Sequence, residues 1–197
     1  MIKYIPNSLT ILRMILVPLF IWLIFFTPFA HNILLATIVL ILASITDYFD
    51  GMLARKFKVI TNFGKIMDPL ADKMLVISAL IALALPPINY ISIFVVFIIL
   101  FREISVSILR NYNARKKIFI AANIWGKLKT VLQMLGVITA LVYYSLSQII
   151  KGWESHQKCI ILGIRVFFWI VVFITILSGL NYFFFRQKDR KKNGNEE

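Results

Sequence analysis

The chain has 197 residues, of which 60% are hydrophobic and only 16% are charged. Soluble domains are about half apolar and roughly a quarter charged, so this composition excludes a soluble globular enzyme, a disordered chain and a disulfide scaffold. Basic residues outnumber acidic ones by 22 to 9, which gives a formal net charge of +13. In so apolar a chain we attribute this excess to the positive-inside rule and to anionic lipid head groups, and we expect no nucleic-acid partner.

Long stretches of the sequence contain no Asp, Glu, Lys or Arg, and together they cover about half of the chain. They are residues 14–46, 74–101, 130–150 and 166–185. A membrane-crossing helix needs about 20 apolar residues, so the two longer stretches must fold back on themselves or continue into charged flanks.

Turn signals divide the two longer stretches. Residues 27–32 contain Pro28 and Asn32, and residues 86–89 contain two consecutive prolines. The sequence therefore predicts an all-α integral membrane protein with six transmembrane helices. Their predicted bounds are 8–27, 33–57, 67–85, 90–112, 122–145 and 159–185.

The distribution of Lys and Arg predicts the orientation in the membrane. Basic residues concentrate after the second and fourth predicted helices and in the C-terminal tail, whereas the opposite loops contain few. Because cytoplasmic loops carry the excess of Lys and Arg, we expect both termini to be cytoplasmic. Residues 1–185 would form one membrane domain, and residues 186–197 a basic, disordered cytoplasmic tail.

Most of the few acidic residues lie inside or beside apolar helices, where ionisable groups are costly and usually mark a function. They are Asp47, Asp50, Asp68, Asp72 and Glu103. From the helical rise, Asp47 and Asp72 lie about 21–22 Å from the outer turns, and Asp50 and Asp68 lie about 27 Å from them. Two neighbouring helices therefore place four carboxylates at two matched depths near the cytoplasmic edge.

These carboxylates also share helix faces, since residues three or four apart point the same way. Gly51, Ala54 and Arg55 lie on the same face as Asp47 and Asp50. A site rich in carboxylates and without His or Cys suits Mg²⁺ or Mn²⁺, and a two-metal site is one solution. The alternative is that the acids form ion pairs with nearby cations, namely Arg55, Lys65 or Lys73.

The acidic residues belong to one longer pattern. It is Asp47-x2-Asp50-Gly51-x2-Ala54-Arg55-x8-Gly64-x3-Asp68-x3-Asp72. This pattern resembles the signature of the CDP-alcohol phosphatidyltransferase family, with every position and spacing filled. More of the chain is similar to the branch of that family that makes phosphatidylglycerol phosphate. The similar segments are residues 5–13, 102–104 with Arg110, 126–130 and 178–182.

The resemblance implies that CDP-diacylglycerol and sn-glycerol 3-phosphate react to give phosphatidylglycerol phosphate and CMP. It implies that a pair of Mg²⁺ or Mn²⁺ ions is held by Asp47, Asp50, Asp68 and Asp72, with Asp72 also the general base. It implies a CDP pocket formed by Gly51, Ala54, Arg55 and Gly64. It further suggests a homodimer in the bacterial inner membrane, in contact with membrane lipids and with its active site facing the cytoplasm.

A pocket for glycerol 3-phosphate should be basic because this acceptor carries a phosphate. The candidates on the fourth and fifth predicted helices are Arg102, Arg110, Lys127 and Lys129. Lys127 and Lys129 point in nearly opposite directions, so both are not expected to face one pocket, and Lys129 is the weaker candidate. The alternative is that these cations snorkel to the interface or follow the positive-inside rule.

Three other functions are compatible with parts of the sequence. A sister transferase could use serine, inositol or phosphatidylglycerol as acceptor, although the basic residues disfavour uncharged acceptors. A cation transporter could use membrane acids, but we find neither an inverted repeat nor broken helices at the membrane midplane. A structural membrane subunit would give the acids no purpose.

Overall fold

In the computed structural model, the chain is described over residues 5–27, 31–57, 62–115, 124–150 and 154–193. These described segments contain α-helices and short turns and no β-strand. The helices are α1 (Ile5–Phe25), α2 (Asn32–Phe57), α3 (Asn62–Ala84), α4 (Ile93–Arg115), α5 (Ile124–Ile149) and α6 (Glu154–Asn193). The predicted all-helical class is confirmed.

α3 and α6 extend furthest beyond their predicted bounds. α3 begins at Asn62 instead of residue 67, and α6 runs from Glu154 to Asn193 instead of from 159 to 185. The prediction of a disordered tail is therefore wrong for residues 186–193. Apolar runs mark only the part of a helix that lipid can surround. The polar end of α6 is rich in Lys, Arg and Gln, which are good helix formers in water, so the helix continues beyond its apolar part. Positive charges at a helix C-terminus also interact favourably with the helix dipole.

The turn between α3 and α4 lies where the Pro86-Pro87 pair predicts a break. α3 ends at Ala84, two residues before the first proline. Asn89 has a φ of 50°, a left-handed conformation in which Asn is enriched. Burial in this turn raises the pKa of Tyr90 to about 12.

The chain divides into two compact units. The first unit comprises residues 1–90 and 137–159, and the second comprises residues 91–136 and 160–197. In the first unit, α1 packs against α2 and α3. The buried face of α2 carries small side chains, Ala36 and Ala43, on either side of Leu40. Small residues let neighbouring helices approach closely, which is how membrane helices commonly associate.

Part of the described chain is suited to lipid. Two helical segments, Leu128–Ile149 and His156–Gly179, are long and apolar enough to cross a membrane. Only 33% and 22% of these segments is buried, whereas the core helix of a soluble protein would be mostly buried. Large apolar side chains are exposed elsewhere as well, as with Phe94 at 71%. Exposed apolar surface of this extent indicates contact with a membrane.

In the second unit, α5 and α6 approach closely at Gly136. A Cβ atom added to Gly136 would overlap Cε1 of Phe167 and would lie 3.0 Å from Cδ1 of the same ring. Gly163 on α6 is different, because nothing lies within 4 Å of an added Cβ there. The missing side chain at Gly136 therefore makes room for the ring of Phe167.

We expect Gly136→Ala to destabilise the protein by about 1–3 kcal/mol, because the half-buried ring of Phe167 must move. Gly163→Ala is the matched control and should be stabilising by up to about 1 kcal/mol, since Ala is the better helix former. Thermal unfolding of both variants in detergent measures the difference. Equal shifts of Tm would contradict the close approach at Gly136.

Candidate active site

α1 contains a single charged residue, Arg13, in an otherwise apolar helix. The Arg13 side chain is fully buried, and its Nη1 lies 2.6 Å from Oδ1 of Asp47 on α2. The Asp47 side chain is 44% exposed. A buried charge is strongly disfavoured without a counter-charge, so this ion pair constrains α1 relative to α2 while the carboxylate remains partly exposed.

One helical turn earlier, α1 contacts a second acid. The hydroxyl of buried Thr10 donates to Oδ1 of Asp68 on α3 at 2.6 Å. Thr10 and Arg13 are three residues apart and therefore lie on the same face of α1. One face of α1 thus holds a carboxylate from α2 and a carboxylate from α3.

The two carboxylates lie close enough for their charges to repel each other. Asp72 is half-buried and follows Asp68 by four residues on α3, so both project from one face of that helix. In the structure Asp47 and Asp68 both contact one face of α1, and the helical register of α3 places Asp72 on the same side of α3 as Asp68.

The donor atoms of this site fit a hard divalent cation, because they are all carboxylate oxygens. Asp47 and Asp68 each use Oδ1 in their contact with α1, and within the described residues Oδ2 of each has no hydrogen-bond partner. One anchored oxygen and one available oxygen is the arrangement of a well-oriented metal ligand. In the described part of the chain no three potential ligands converge on one point. The side chain of Asp50, the fourth predicted ligand, lies outside the described residues.

Several other predicted site residues also have side chains outside the described residues. In α2 and α3 these are the predicted CDP-pocket residues Gly51, Ala54, Arg55 and Gly64; in α4 and α5 they are the predicted acceptor cations Arg110 and Lys127. Their roles remain predictions.

In the second unit, three separate sequence segments meet in a polar cluster. Nη2 of Arg102 on α4 donates to Oγ of Ser178 on α6 at 2.7 Å. Nη1 of Arg102 lies 4.0 Å from Oε1 of Glu103, and buried Lys129 on α5 forms an ion pair with the same Oε1 atom. Glu103 therefore compensates Lys129 and lies within ion-pair distance of Arg102. A role for either cation in binding an acceptor phosphate remains a prediction.

The sequence was compared with known proteins. Residues 3–177 match the CDP-alcohol phosphatidyltransferase family. The chain belongs to this family. The predicted resemblance is confirmed, and the match includes both the signature on α2 and α3 and the segment of α1 that contacts it.

Individual relatives are similar over nearly their whole length. The CDP-diacylglycerol--glycerol-3-phosphate 3-phosphatidyltransferase of Wigglesworthia glossinidia brevipalpis is 35% identical over 195 residues, covering 96% of this chain and 98% of the relative. The protein of the same name from Rickettsia typhi is 37% identical over 183 residues, covering 92% and 96%. That from Bacillus subtilis is 36% identical over 192 residues, covering 90% and 92%.

The family signature does not include Thr10 and Arg13, and the signature alone assigns them no role. The signal that identifies Arg13 is its position as a lone charge in an apolar helix, since such charges are expensive and tend to be functional. In the structure, Asp47 forms an ion pair with Arg13 on α1. Arg13 was not among the nearby cations that the sequence suggested as partners of the acids.

We expect Asp47→Asn in this transferase to cost about 3 kcal/mol of stability, because it removes the carboxylate from buried Arg13. That value is the lower end of the usual cost, since the Asp47 side chain is partly exposed. Adding Arg13→Met should recover most of the loss, because the buried charge disappears with its partner. Asp68→Asn is the matched control and should cost under about 1 kcal/mol, since an amide oxygen still accepts from Thr10. Thermal unfolding of these three variants and of Arg13→Met alone measures the coupling between Arg13 and Asp47. Strictly additive effects of the two changes would contradict the ion pair.

Proposed function

We propose that the chain transfers the phosphatidyl group of CDP-diacylglycerol to sn-glycerol 3-phosphate, giving phosphatidylglycerol phosphate and CMP. The relatives carry the name of this reaction. The observation that supports it in the structure is the pair of carboxylates, Asp47 and Asp68, that one face of α1 holds together. A site built only from oxygen donors is suited to a diphosphate bound through divalent cations.

In the proposed reaction, a hydroxyl oxygen of glycerol 3-phosphate attacks the phosphorus that carries the diacylglycerol. The bond between that phosphorus and the bridging oxygen of the diphosphate breaks, and CMP leaves with the bonding electrons. The attacking hydroxyl loses its proton, and we assign Asp72 as the base that accepts it. The half-buried position of Asp72, one helical turn after Asp68 on α3, is compatible with that role.

We assign Asp47, Asp50, Asp68 and Asp72 as the residues that would hold two divalent cations, Mg²⁺ or Mn²⁺. When bound, such cations would neutralise the charge that develops on the diphosphate. The remaining residues of the signature, Gly51, Ala54, Arg55 and Gly64, would form the pocket for the CDP moiety. Two glycines and an alanine leave room for a ligand, and Arg55 would add a fixed positive charge beside the leaving group.

The basic residues of α4 and α5 are assigned to the acceptor phosphate. They are Arg102, Arg110, Lys127 and Lys129. Because Glu103 forms an ion pair with Lys129 and lies 4.0 Å from Arg102, these three residues together offer one net positive charge. In this proposal Arg110 and Lys127 therefore provide most of the attraction for the phosphate.

We further propose six membrane-crossing helices in the bacterial inner membrane, with both termini and the active site on the cytoplasmic side. Residues 1–185 would form the membrane domain, and residues 186–197 its basic cytoplasmic end. This arrangement would let a lipid donor and a water-soluble acceptor meet at the membrane surface, and the partial exposure of the Asp47 side chain is compatible with it. The homodimer expected from the family remains part of the proposal.

The function is tested with purified protein and CDP-diacylglycerol. We expect CMP release and a new lipid with glycerol 3-phosphate, and none with serine, inositol or phosphatidylglycerol. EDTA should stop the reaction and Mg²⁺ or Mn²⁺ should restore it, because every assigned ligand is an oxygen donor. A lipid product with one of the other acceptors only would replace the proposed acceptor, and full activity after exhaustive chelation would refute the metal assignment.

We expect Arg110→Ala or Lys127→Ala to raise the KM for glycerol 3-phosphate by roughly 10- to 150-fold, with little change for CDP-diacylglycerol. Each substitution removes a charge-assisted hydrogen bond to the phosphate, worth about 1.5–3 kcal/mol, and about 1.4 kcal/mol is a tenfold change in affinity. The effect belongs mainly in KM because the phosphate is remote from the reacting hydroxyl. Steady-state kinetics that vary one substrate at a time measure it. Unchanged acceptor KM in both variants would refute this pocket.

A further inference from the structure

We propose that Thr10 and Arg13 on α1 are positioning residues that orient Asp47 and Asp68 for metal binding. The inference rests on the metal role assigned to these aspartates under the proposed function and extends it to a helix outside the family signature. Neither residue would touch the substrate or the metal. Both would act through the carboxylates that they contact.

The contact of Thr10 supports this role most directly. Its hydroxyl is buried and donates to Oδ1 of Asp68. The bond joins α1 to α3, and the two residues are 58 positions apart in the sequence. A carboxylate attached only to its own helix can rotate about χ1 and χ2, and metal binding would have to order it. The hydrogen bond from Thr10 restricts that rotation in advance and leaves Oδ2 for a ligand.

Arg13 would act on Asp47 in the same way and would also contribute charge. Its Nη1 lies 2.6 Å from Oδ1 of Asp47, so the carboxylate is anchored by one oxygen. Because Asp47 and Asp68 repel each other, a fixed guanidinium beside Asp47 also allows the two acids to lie close together before a cation arrives. Thr10 and Arg13 thus each contact one Oδ1 atom, and Arg13, which is charged, also changes the net charge around the two acids.

A purely structural role is the alternative interpretation, in which polar groups in an apolar helix merely satisfy one another. That role predicts a loss of stability without a change in metal affinity. The positioning role predicts weaker metal binding even when the protein is folded and no substrate is present. Thr10 separates the two interpretations better than Arg13, because replacing a neutral hydroxyl leaves the charge of the site unchanged.

The experiment measures Mn²⁺ binding to the full-length chain in detergent, by electron paramagnetic resonance without substrate. We expect Thr10→Val, which removes the hydroxyl and keeps the shape, to weaken Mn²⁺ binding by about 10- to 100-fold. Thr10→Ser keeps the hydroxyl and should restore binding. The matched control is Thr175→Val, which removes an equally buried hydroxyl that donates to the carbonyl oxygen of Val171 in its own helix. This control should bind Mn²⁺ like the wild type.

Unchanged Mn²⁺ affinity in folded Thr10→Val, or an equal loss in Thr175→Val, would overturn the inference. Tm is measured in parallel, so that a binding loss is scored only for protein that is folded. The experiment can distinguish failure of this inference from failure of the proposed function. Wild-type protein that binds Mn²⁺ and shows the Thr10 effect but releases no CMP with glycerol 3-phosphate would refute the function and support the inference. Wild-type protein that binds no Mn²⁺ would refute the metal assignment and the inference together.

Discussion

The ion pair between Arg13 and Asp47 is the contact on which the geometry of the candidate site depends. A fully buried guanidinium must remain near a counter-charge, and this carboxylate supplies it at 2.6 Å. Such a pair is not a strong net source of stability, since removing two charges from water costs about as much as their attraction returns. Its effect is on geometry. It specifies one relative position of α1 and α2, and the Thr10–Asp68 hydrogen bond does the same for α1 and α3.

In the second unit, too, charged side chains contact polar groups on neighbouring helices. Lys129 is buried on α5 and is compensated by Glu103 on α4, while Arg102 donates to the Ser178 hydroxyl on α6. Polar residues inside membrane helices usually pair with one another, because lipid offers no alternative partner. This pairing affects how strongly these cations can attract a ligand. A cation that is already compensated attracts a phosphate less than its formal charge suggests, so positive charge in the sequence overstates what these two residues offer to a ligand.

Much of the fold could be predicted because its signals are local. Uncharged runs and the Pro86-Pro87 break mark the helices and their turns, and the spacing of the acids places them on helix faces. The ends of α3 and α6 could not be located in this way, since polar residues continue a helix beyond its apolar part. Hydrophobic patterns therefore predict where lipid can surround a helix better than where its hydrogen bonding stops.

The partners of the acids could not be predicted because they belong to other helices. Helical periodicity shows that Asp47 shares a face with its neighbours on α2, but it does not show which helix packs against that face. Arg13 and Asp47 come from α1 and α2, and Thr10 and Asp68 are 58 residues apart. Contacts of this kind depend on tertiary packing. The lone charge on α1 indicated that a partner must exist without indicating which one.

The candidate ligands Asp47 and Asp68 lie on different helices from Thr10 and Arg13, which contact them. The candidate metal ligands belong to the signature on α2 and α3. Side chains of α1 contact one oxygen atom of Asp47 and one oxygen atom of Asp68. The same helix buries Val17 and Phe20 in the first unit, so its position is determined by apolar packing along most of its length. Close-packed interiors transmit small displacements instead of absorbing them. The geometry of a site near one end of α1 therefore depends on uncharged side chains that lie about one to three turns away and outside the signature.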